Sequence, residues 1–506
     1  MMLLSRNATV SRLWRIRRIA TKVVPSPTEK KTIYALSTPP GRGGIGVIRI
    51  SGPDALDVYT QMVRVRAGID AKAKHKKLVP EPWRMRRCSI VHPESQEVLD
   101  EGMAVFFKAP QSFTAEHTVE LHTHSGPALL SSILSSLALF QNLRPAQPGE
   151  FTKRALLNGR LDLTQVEGIK DLIDAETEEQ RKSAVRAVGG HVKREMDNLR
   201  DDVIKCLAML EALIDFGEGE DLEEGVYDQA VERAQDLIRT IECHLSDARR
   251  GEIVRSGIKL SIFGPPNAGK SSLLNFLSQR DAAIVTPIPG TTRDILSLSL
   301  DIGGLPVIIS DTAGLRKTQD VIENIGIERA HQAVHSSDVR LCVLSLSELR
   351  NTSSTIDLAD AAPECVKPLL FAQNTCVLLN KSDLEKFAIP ETVTLAGKPL
   401  PFWVISLTES IGTQAFLDGL QCHLKDRYKL GPDSVSTPPL ITRERHRTHF
   451  VEALQFLQAF LDTPREEPVL AAEELRYAAQ AIAKVTGRID VENVLDVVFS
   501  EFCIGK

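Results

Sequence analysis

Gly264-Pro-Pro-Asn-Ala-Gly-Lys-Ser271 has the spacing of a phosphate-binding loop: a glycine, four residues, then Gly-Lys-Ser. The β-rich run Ile-Lys-Leu-Ser-Ile-Phe precedes it, from 258 to 263. The run Ser-Leu-Leu-Asn-Phe-Leu, from 272 to 277, follows with helical apolar spacing. A strand, a Gly-rich loop and a helix N-terminus gather backbone N–H groups and the positive end of a helix dipole around phosphate. Lys270 is then the residue that reaches the β- and γ-phosphates, and the Ser271 hydroxyl ligates Mg²⁺. Gly264, Asn267, Ala268, Gly269 and Ser272 complete the cradle.

Three further motifs stand in order behind it. Asp311-Thr312-Ala313-Gly314 follows the apolar run 305–309, where an Asp holds Mg²⁺ through water and a Gly N–H meets the γ-phosphate. Asn380-Lys381-Ser382-Asp383 ends the apolar run 376–379. An Asp there accepts two N–H bonds from the guanine edge, which adenine cannot donate. Gly290-Thr-Thr-Arg-Asp294 lies between, where a switch segment supplies a Thr to Mg²⁺. Together they imply a GTPase domain rather than an ATPase. Leu315 stands where many such domains carry a water-orienting Gln, and it cannot bond water. Asn267 has two readings: a ligand for a monovalent cation that neutralises developing charge, or a cap on its own loop.

At 506 residues the chain has room for about three domains. A net charge of −5 argues against a broad nucleic-acid-binding surface, so RNA contact must be local or shared. The eight cysteines are scattered and form no C-x-x-C pair, so they suggest neither a disulfide framework nor a zinc site and fit a reducing compartment. No apolar run has membrane-span length.

The elements that must position these residues fall into blocks. Residues 1–30 hold five arginines and two lysines against the single acid Glu29, with amphipathic spacing, as in a mitochondrial transit peptide. Residues 31–150 alternate β-rich runs with one helical run near 129–139, an α+β domain. Its Thr38-Pro-Pro-Gly-Arg-Gly-Gly44 loop allows close backbone approach. His122 and His124 share a strand face, but no third metal ligand is evident and packing is the preferred reading. Residues 151–249 are helical, with a helix over 161–173 and a break at Gly189-Gly190. The GTPase domain, a doubly wound and mostly parallel sheet, occupies 250–430. Helical pattern resumes over 431–506, at 442–461 and 471–485. The expected fold is multidomain α/β, with the P-loop domain inserted into the helical domain. The terminal Phe502-Cys-Ile-Gly-Lys506 concentrates a thiol, an ammonium and a carboxylate, but reads from chemistry alone as a frayed end.

The chain resembles the mitochondrial branch of the MnmE (TrmE) tRNA-modification GTPases over nearly everything after residue 30. The resemblance is carried by Thr38-Pro-Pro-Gly-Arg-Gly-Gly, Gly149-Glu-Phe-Thr, Leu161-Asp-Leu, the four nucleotide motifs and the terminal Phe-Cys-Ile-Gly-Lys. It implies an N-terminal domain that binds 5-formyltetrahydrofolate and forms a homodimer, a helical domain and an inserted GTPase. It further implies an FAD-containing MnmG-type partner, C5 modification of wobble uridine to 5-taurinomethyluridine in mitochondrial tRNA, and a place in the matrix.

Residue by residue, the resemblance implies folate contacts at Arg49, Glu120, Arg160 and Lys506, with Arg160 replacing a more usual lysine. It implies a K⁺ site at Asn267, Thr286, Ile288 and Thr291, and Mg²⁺ at Ser271 and Thr292. Glu323 matches the glutamate that positions water through a second water, which answers the Leu315 question. Cys503 matches a cysteine linked to modification. Two departures are Phe113-Thr-Ala-Glu-His117, where relatives often read Phe-Thr-Gly-Glu-Asp, and Ser406-Leu-Thr408 in place of Ser-Ala-Lys. The rival expectations are an RNA- or ribosome-assembly GTPase and a nucleotide-gated scaffold without turnover.

Overall fold

The computed structural model describes residues 31–65, 80–216, 225–247, 249–279, 283–284, 297–310, 334–349, 355–364, 366–384, 389–428 and 439–487, with 499, 502, 504 and 505. The basic leader 1–30 lies outside these residues, as do Thr286, Ile288, Thr291, Thr292, Asp311, Thr312, Ala313, Gly314, Glu323, Cys503 and Lys506. The chain packs as two compact units, 1–170 with 480–506, and 171–479.

The first unit is built on a seven-stranded sheet. Its strands are β1 (Thr32–Leu36), β2 (Gly43–Ser51), β3 (Val63–Val65), β4 (Arg86–Val91), β5 (Val98–Phe107), β6 (Thr118–Ser125) and β7 (Leu143–Pro145), in the order β3-β4-β5-β6-β2-β1-β7. All neighbours are antiparallel except β1 and β7. Alternation decides the faces. Ile48, Ile50, Leu121 and Phe106 point to one side, where α1 (Ala55–Met62) and α2 (Pro127–Ala138) close a core with Val58, Met62, Ile133 and Leu137. Ile33 and Ala35 point to the other, against Phe151 of α3 (Glu150–Leu157) and Phe113. Arg49 and Glu120, odd members of the alternation, stand on this second face.

The 113–117 loop is pinned from several sides. Ser51 Oγ lies 2.7 Å from Thr114 Oγ1 and donates to Glu116 Oε2 at 2.8 Å, and buried Arg154 meets both Glu116 oxygens at 3.1 and 3.2 Å. So held, Ala115 takes a left-handed backbone, φ 61. A Cβ in that conformation costs about 1–2 kcal/mol. Ala115→Gly should recover about 0.5–1 kcal/mol after the extra chain entropy of glycine is subtracted. Native-state amide exchange across 112–118 should slow about two- to fivefold. Unchanged exchange would show the loop relaxes around alanine at no cost.

The helix expected from Leu161 begins two residues later, as α4 (Leu163–Asp174), and the second unit begins within it at Asp171. Asp162 Oδ1 accepts from Thr164 N at 2.8 Å and Gln165 N at 3.2 Å, so the acid caps the helix from outside. α5 (Glu178–Val188) starts on a Thr177–Gln180 capping box and stops at Gly189-Gly190, and α6 (His191–Phe216) follows. α7 (Val226–Leu245) and α8 (Arg250–Ser256) lead into a second seven-stranded sheet. Its strands are β8 (Ile258–Phe263), β9 (Ala283–Ile284), β10 (Ser297–Ile302), β11 (Leu305–Ser310), β12 (Val339–Ser345), β14 (Thr375–Asn380) and β17 (Phe402–Val404). A side sheet joins β13 (Thr355–Asp357), β15 (Thr392–Leu395) and β16 (Lys398–Pro399). The order β17-β14-β12-β8-β11-β10-β9 is parallel from β17 to β11, with an antiparallel β9-β10-β11 edge.

Helices cover both faces, the doubly wound arrangement. α9 (Lys270–Ser278) and α12 (Thr413–Arg427) bury Leu273, Phe416, Leu420 and Leu424 on one. α10 (Leu358–Ala361) and α11 (Lys367–Leu370) bury Leu358 and Leu370 on the other. After this sheet the chain returns to helices, α13 (Glu444–Asp462) and α14 (Pro468–Val485). Arg447 of α13 donates to Glu252 Oε1 of α8 at 2.8 Å and to the Leu245 carbonyl at 3.0 Å. Asp171 takes both Arg255 at 2.9 Å and Arg443 at 2.7 Å. These contacts tie α8, before the nucleotide-binding segment, to α13 after it. Burial would raise the Glu252 carboxyl, but its bonds to Arg249 and Arg447 outweigh that and hold it below the usual carboxylate range.

Candidate functional site

The nucleotide site forms at the carboxyl ends of β8, β12 and β14. β8 is buried at five of six positions, as a central parallel strand must be. It delivers the chain to Gly264, and α9 starts at Lys270 behind Gly269, whose φ is 103. A Cβ on Gly269 would stand 2.2 Å from Asn380 Nδ2, so this step of the cradle admits only glycine. Lys270 Nζ donates to the carbonyls of Gly264 and Pro265 at 2.8 and 2.7 Å, which places the ammonium across the loop. Ser271 and Ser272 open to solvent on the first turn of α9, and Ala268 is buried beneath the loop.

Asn267 is exposed with φ 60, a left-handed conformation that Asn tolerates better than most residues. Among the described residues no hydrogen bond of its carboxamide is seen. Asn380, at the end of β14, is 3% exposed and acts as a crosslink. Its Nδ2 donates to the Ala268 carbonyl at 3.0 Å, and its Oδ1 accepts from Leu407 N at 3.3 Å. Phosphate loop, base loop and the Ser406-Leu-Thr segment are joined through one side chain, a bridge that motif spacing does not reveal. Lys381 turns left-handed, φ 65, and Ser382 N bonds the Ile405 carbonyl at 3.2 Å, which leaves Asp383 projecting into solvent. The residues present fit a guanosine triphosphate: a cradle that a Cβ would fill, a cation across it, and a carboxylate on a fixed loop.

A second polar cluster lies on the sheet of the first unit. Arg49 of β2 and Glu120 of β6 are direct cross-strand partners and pair at 2.9 Å. The guanidinium lies over Phe113 at 5.2 Å and Phe151 at 5.6 Å. His122, two residues along the strand from Glu120, brings Nε2 to 3.7 Å from its second oxygen. Burial alone would raise the Glu120 carboxyl, but His122 and Arg49 together hold it below the ordinary range. Arg160 is exposed beyond α3, its N–H bonded to the Ala155 carbonyl at 2.9 Å. The two aromatic rings and His122 were not singled out as parts of this cluster from sequence. The period-2 spacing of Glu120 and His122 was the available signal.

The described residues of the terminal segment are docked. Gly505 O accepts from Ser37 Oγ at 2.9 Å, Ile504 bridges Pro148, and Phe499 and Phe502 pack with Leu163 and Val166. His124 pairs with Asp100 at 2.9 Å, and no group of three metal-binding side chains occurs among the described residues. Cys88, Cys206 and Cys376 are buried, and desolvation pushes their thiols up to about 11, 11 and 12, so none is poised as a nucleophile. No described helix is long and apolar enough to cross a membrane.

A parallel sheet with a Gly-Lys-Ser loop at its carboxyl edge and an Asn-Lys-Ser-Asp loop crosslinked to it defines a P-loop domain of the GTPase class. Residues 32–160 match the GTP-binding protein TrmE N-terminus and residues 163–503 the MnmE helical domain, so the chain belongs to the MnmE/TrmE family. A zebrafish (Danio rerio) relative, "5-taurinomethyluridine-[tRNA] synthase subunit GTPB3, mitochondrial", is 41% identical over 94% of this chain and 93% of its own. The human protein of that name is 39% identical over 97% of each. The "tRNA modification GTPase MnmE" of Paramagnetospirillum magneticum is 41% identical over 94% of this chain and all of its own length.

Proposed function

We propose that this chain hydrolyses GTP in the course of C5 modification of the wobble uridine of mitochondrial tRNAs, giving 5-taurinomethyluridine. It acts in the matrix as a homodimer with an FAD-containing MnmG-type partner, after residues 1–30 direct import. The observation that supports this most is the Asn380 bridge. It joins a Gly-Lys-Ser loop to a guanine-selecting loop within a chain that shares whole-length similarity with proteins named for this modification.

Mg²⁺ and K⁺, when bound, would supply positive charge to the phosphate oxygens. The chain's part is to hold them, Mg²⁺ on Ser271 and Thr292, and K⁺ on Asn267, Thr286, Ile288 and Thr291. Asp311 would hold Mg²⁺ through water and the Gly314 N–H would meet the γ-phosphate, with Thr312 and Ala313 in the same GTP-binding motif. Lys270 exchanges its loop carbonyls for phosphate oxygens, and Glu323 orients water. Arg49, Glu120, Arg160 and Lys506 would hold a 5-formyltetrahydrofolate, which would supply a one-carbon group. A carboxylate beside aromatic rings suits a ring with an N–H edge. Cys503 serves the modification step.

Two measurements on the full chain test the reading. GTP turnover at equal ionic strength should be at least tenfold faster in KCl than in NaCl, and Glu323→Ala should lower it about 100-fold with GTP affinity kept. Equal rates in both salts would assign Asn267 a structural role. In cells depleted of the chain, mass spectrometry of mitochondrial tRNA should show the loss of C5-modified wobble uridine. Rescue by wild type and not by Lys270→Ala is expected. A normal nucleoside profile alongside a ribosome-assembly defect would favour the assembly-GTPase rival.

A further inference from the structure

One edge of the first unit's sheet carries a basic and aromatic surface that neither polar site uses. From Arg64 to Arg87 the sequence holds nine lysines and arginines against two acids, a net of +7 in a chain whose net charge is −5. Of the described residues there, Arg84 and Arg87 have side chains 62% and 71% exposed. Their partners are Glu81 at 2.7 Å and Glu101 at 3.4 Å, themselves 57% and 41% exposed. Such open pairs exchange readily for another anion.

Trp83 sits beside them with its side chain thrust outward, 57% exposed. Its backbone is left-handed, φ 63, which bulky residues avoid. The turn is held by Trp83 N donating to the Phe106 carbonyl at 2.8 Å, and the indole meets Phe107 edge-on at 4.8 Å. A strained turn thus holds a large ring at the surface, and strain of this kind gathers at functional positions. Strand register extends the surface inward. Arg87 pairs with Met103, 41% exposed, and Met103 with His122, on the face that carries Glu120 and Arg49. The patch and the Arg49–Glu120 cluster therefore share one face of one sheet.

We infer that this surface receives single-stranded RNA, a loop of the tRNA substrate, with a base stacked on Trp83 and phosphates on Arg84 and Arg87. The inference rests on the reading that tRNA is the substrate. Arginines attract phosphate through counterion release, and an exposed indole offers any base a π-face. Set near the Arg49 cluster, the patch holds the strand on the side of the sheet where the one-carbon site is proposed. A second copy of the chain is the poorer occupant, because a two-fold contact would bring the same arginines toward each other.

The test is fluorescence anisotropy of the full chain with a labelled, unmodified anticodon stem-loop, over a salt series. Trp83→Gly removes the ring and relieves the left-handed residue, so the fold is kept. Its affinity should fall about tenfold, and Trp83→Tyr should restore most of it. Arg84→Gln with Arg87→Gln should flatten the log–log salt slope by about 1.4. RNA-free GTP turnover should stay unchanged in all three. Wild-type binding with unaltered variant affinity and slope would overturn this surface alone. Absence of RNA binding by the wild type would overturn both the surface and the tRNA reading. A Trp83→Gly chain that dissociates in sedimentation, where wild type does not, would reassign the patch to a protein interface.

Discussion

Replacing Asp383 with Asn should weaken GTP about 10³-fold and strengthen binding of xanthosine triphosphate by a comparable factor. The carboxylate accepts two N–H bonds from guanine. An amide returns only one acceptor and sets its own N–H against a base donor, which leaves desolvated polar groups unpaired. Xanthine carries a carbonyl where guanine has its amino group, so the amide N–H gains an acceptor there. The fold should not respond. The loop is held through its backbone, by Ser382 N on the Ile405 carbonyl and by Asn380 on Ala268 and Leu407, while the Asp383 side chain stands in solvent. Titration with fluorescent GTP and XTP analogues reads both affinities. GTP affinity within threefold of wild type would mean the base is selected elsewhere.

Gly269→Ala tests the geometry of the cradle rather than its chemistry. The new Cβ would lie 2.2 Å from Asn380 Nδ2 at a backbone φ of 103. Either Asn380 retreats and loses its bonds to Ala268 and Leu407 together, or the phosphate loop shifts off the start of α9. Both routes damage the site, so GTP affinity should fall at least 100-fold and thermal stability by about 2–4 kcal/mol. Gly397→Ala separates the two costs. That residue is also left-handed, φ 76, but nothing lies within 4 Å of its Cβ. It should lose only about 1–2 kcal/mol and keep GTP affinity. Equal effects of the two substitutions would show that backbone strain, not collision with Asn380, governs position 269.

The nucleotide site was legible in the sequence because its parts are local. Gly264 to Ser271 is one turn between a strand and a helix, and Asn380 to Asp383 is one loop at a strand end, so type and spacing carry their meaning. Strand and helix positions were legible for the same reason. Alternation in β2 and β6 and the three-to-four spacing in α13 are short-range patterns, and helix ends moved by one to three residues, at α4 because Asp162 caps from outside and at α2 and α13 without any side-chain cap. The Arg49 cluster was legible only through family resemblance. Arg49 and Glu120 are 71 residues apart, and Phe113 and Phe151 come from a loop and a helix that meet them only after the sheet has formed.

What the sequence by itself determined is therefore the chemistry offered at each point: a phosphate loop, a guanine-reading Asp, a basic stretch from 64 to 87 and an alanine at 115. What only the tertiary structure decided is which of these groups meet and at what strain. Strand register set Arg49 against Glu120 and carried Arg87 through Met103 to His122. Packing around Ser51 and Arg154 forced Ala115 left-handed, and the bond to Phe106 turned Trp83 outward. Long-range pairing fixes faces and conformations that no local pattern encodes, because a shift of one residue in register would exchange every side chain between the two sides of a sheet.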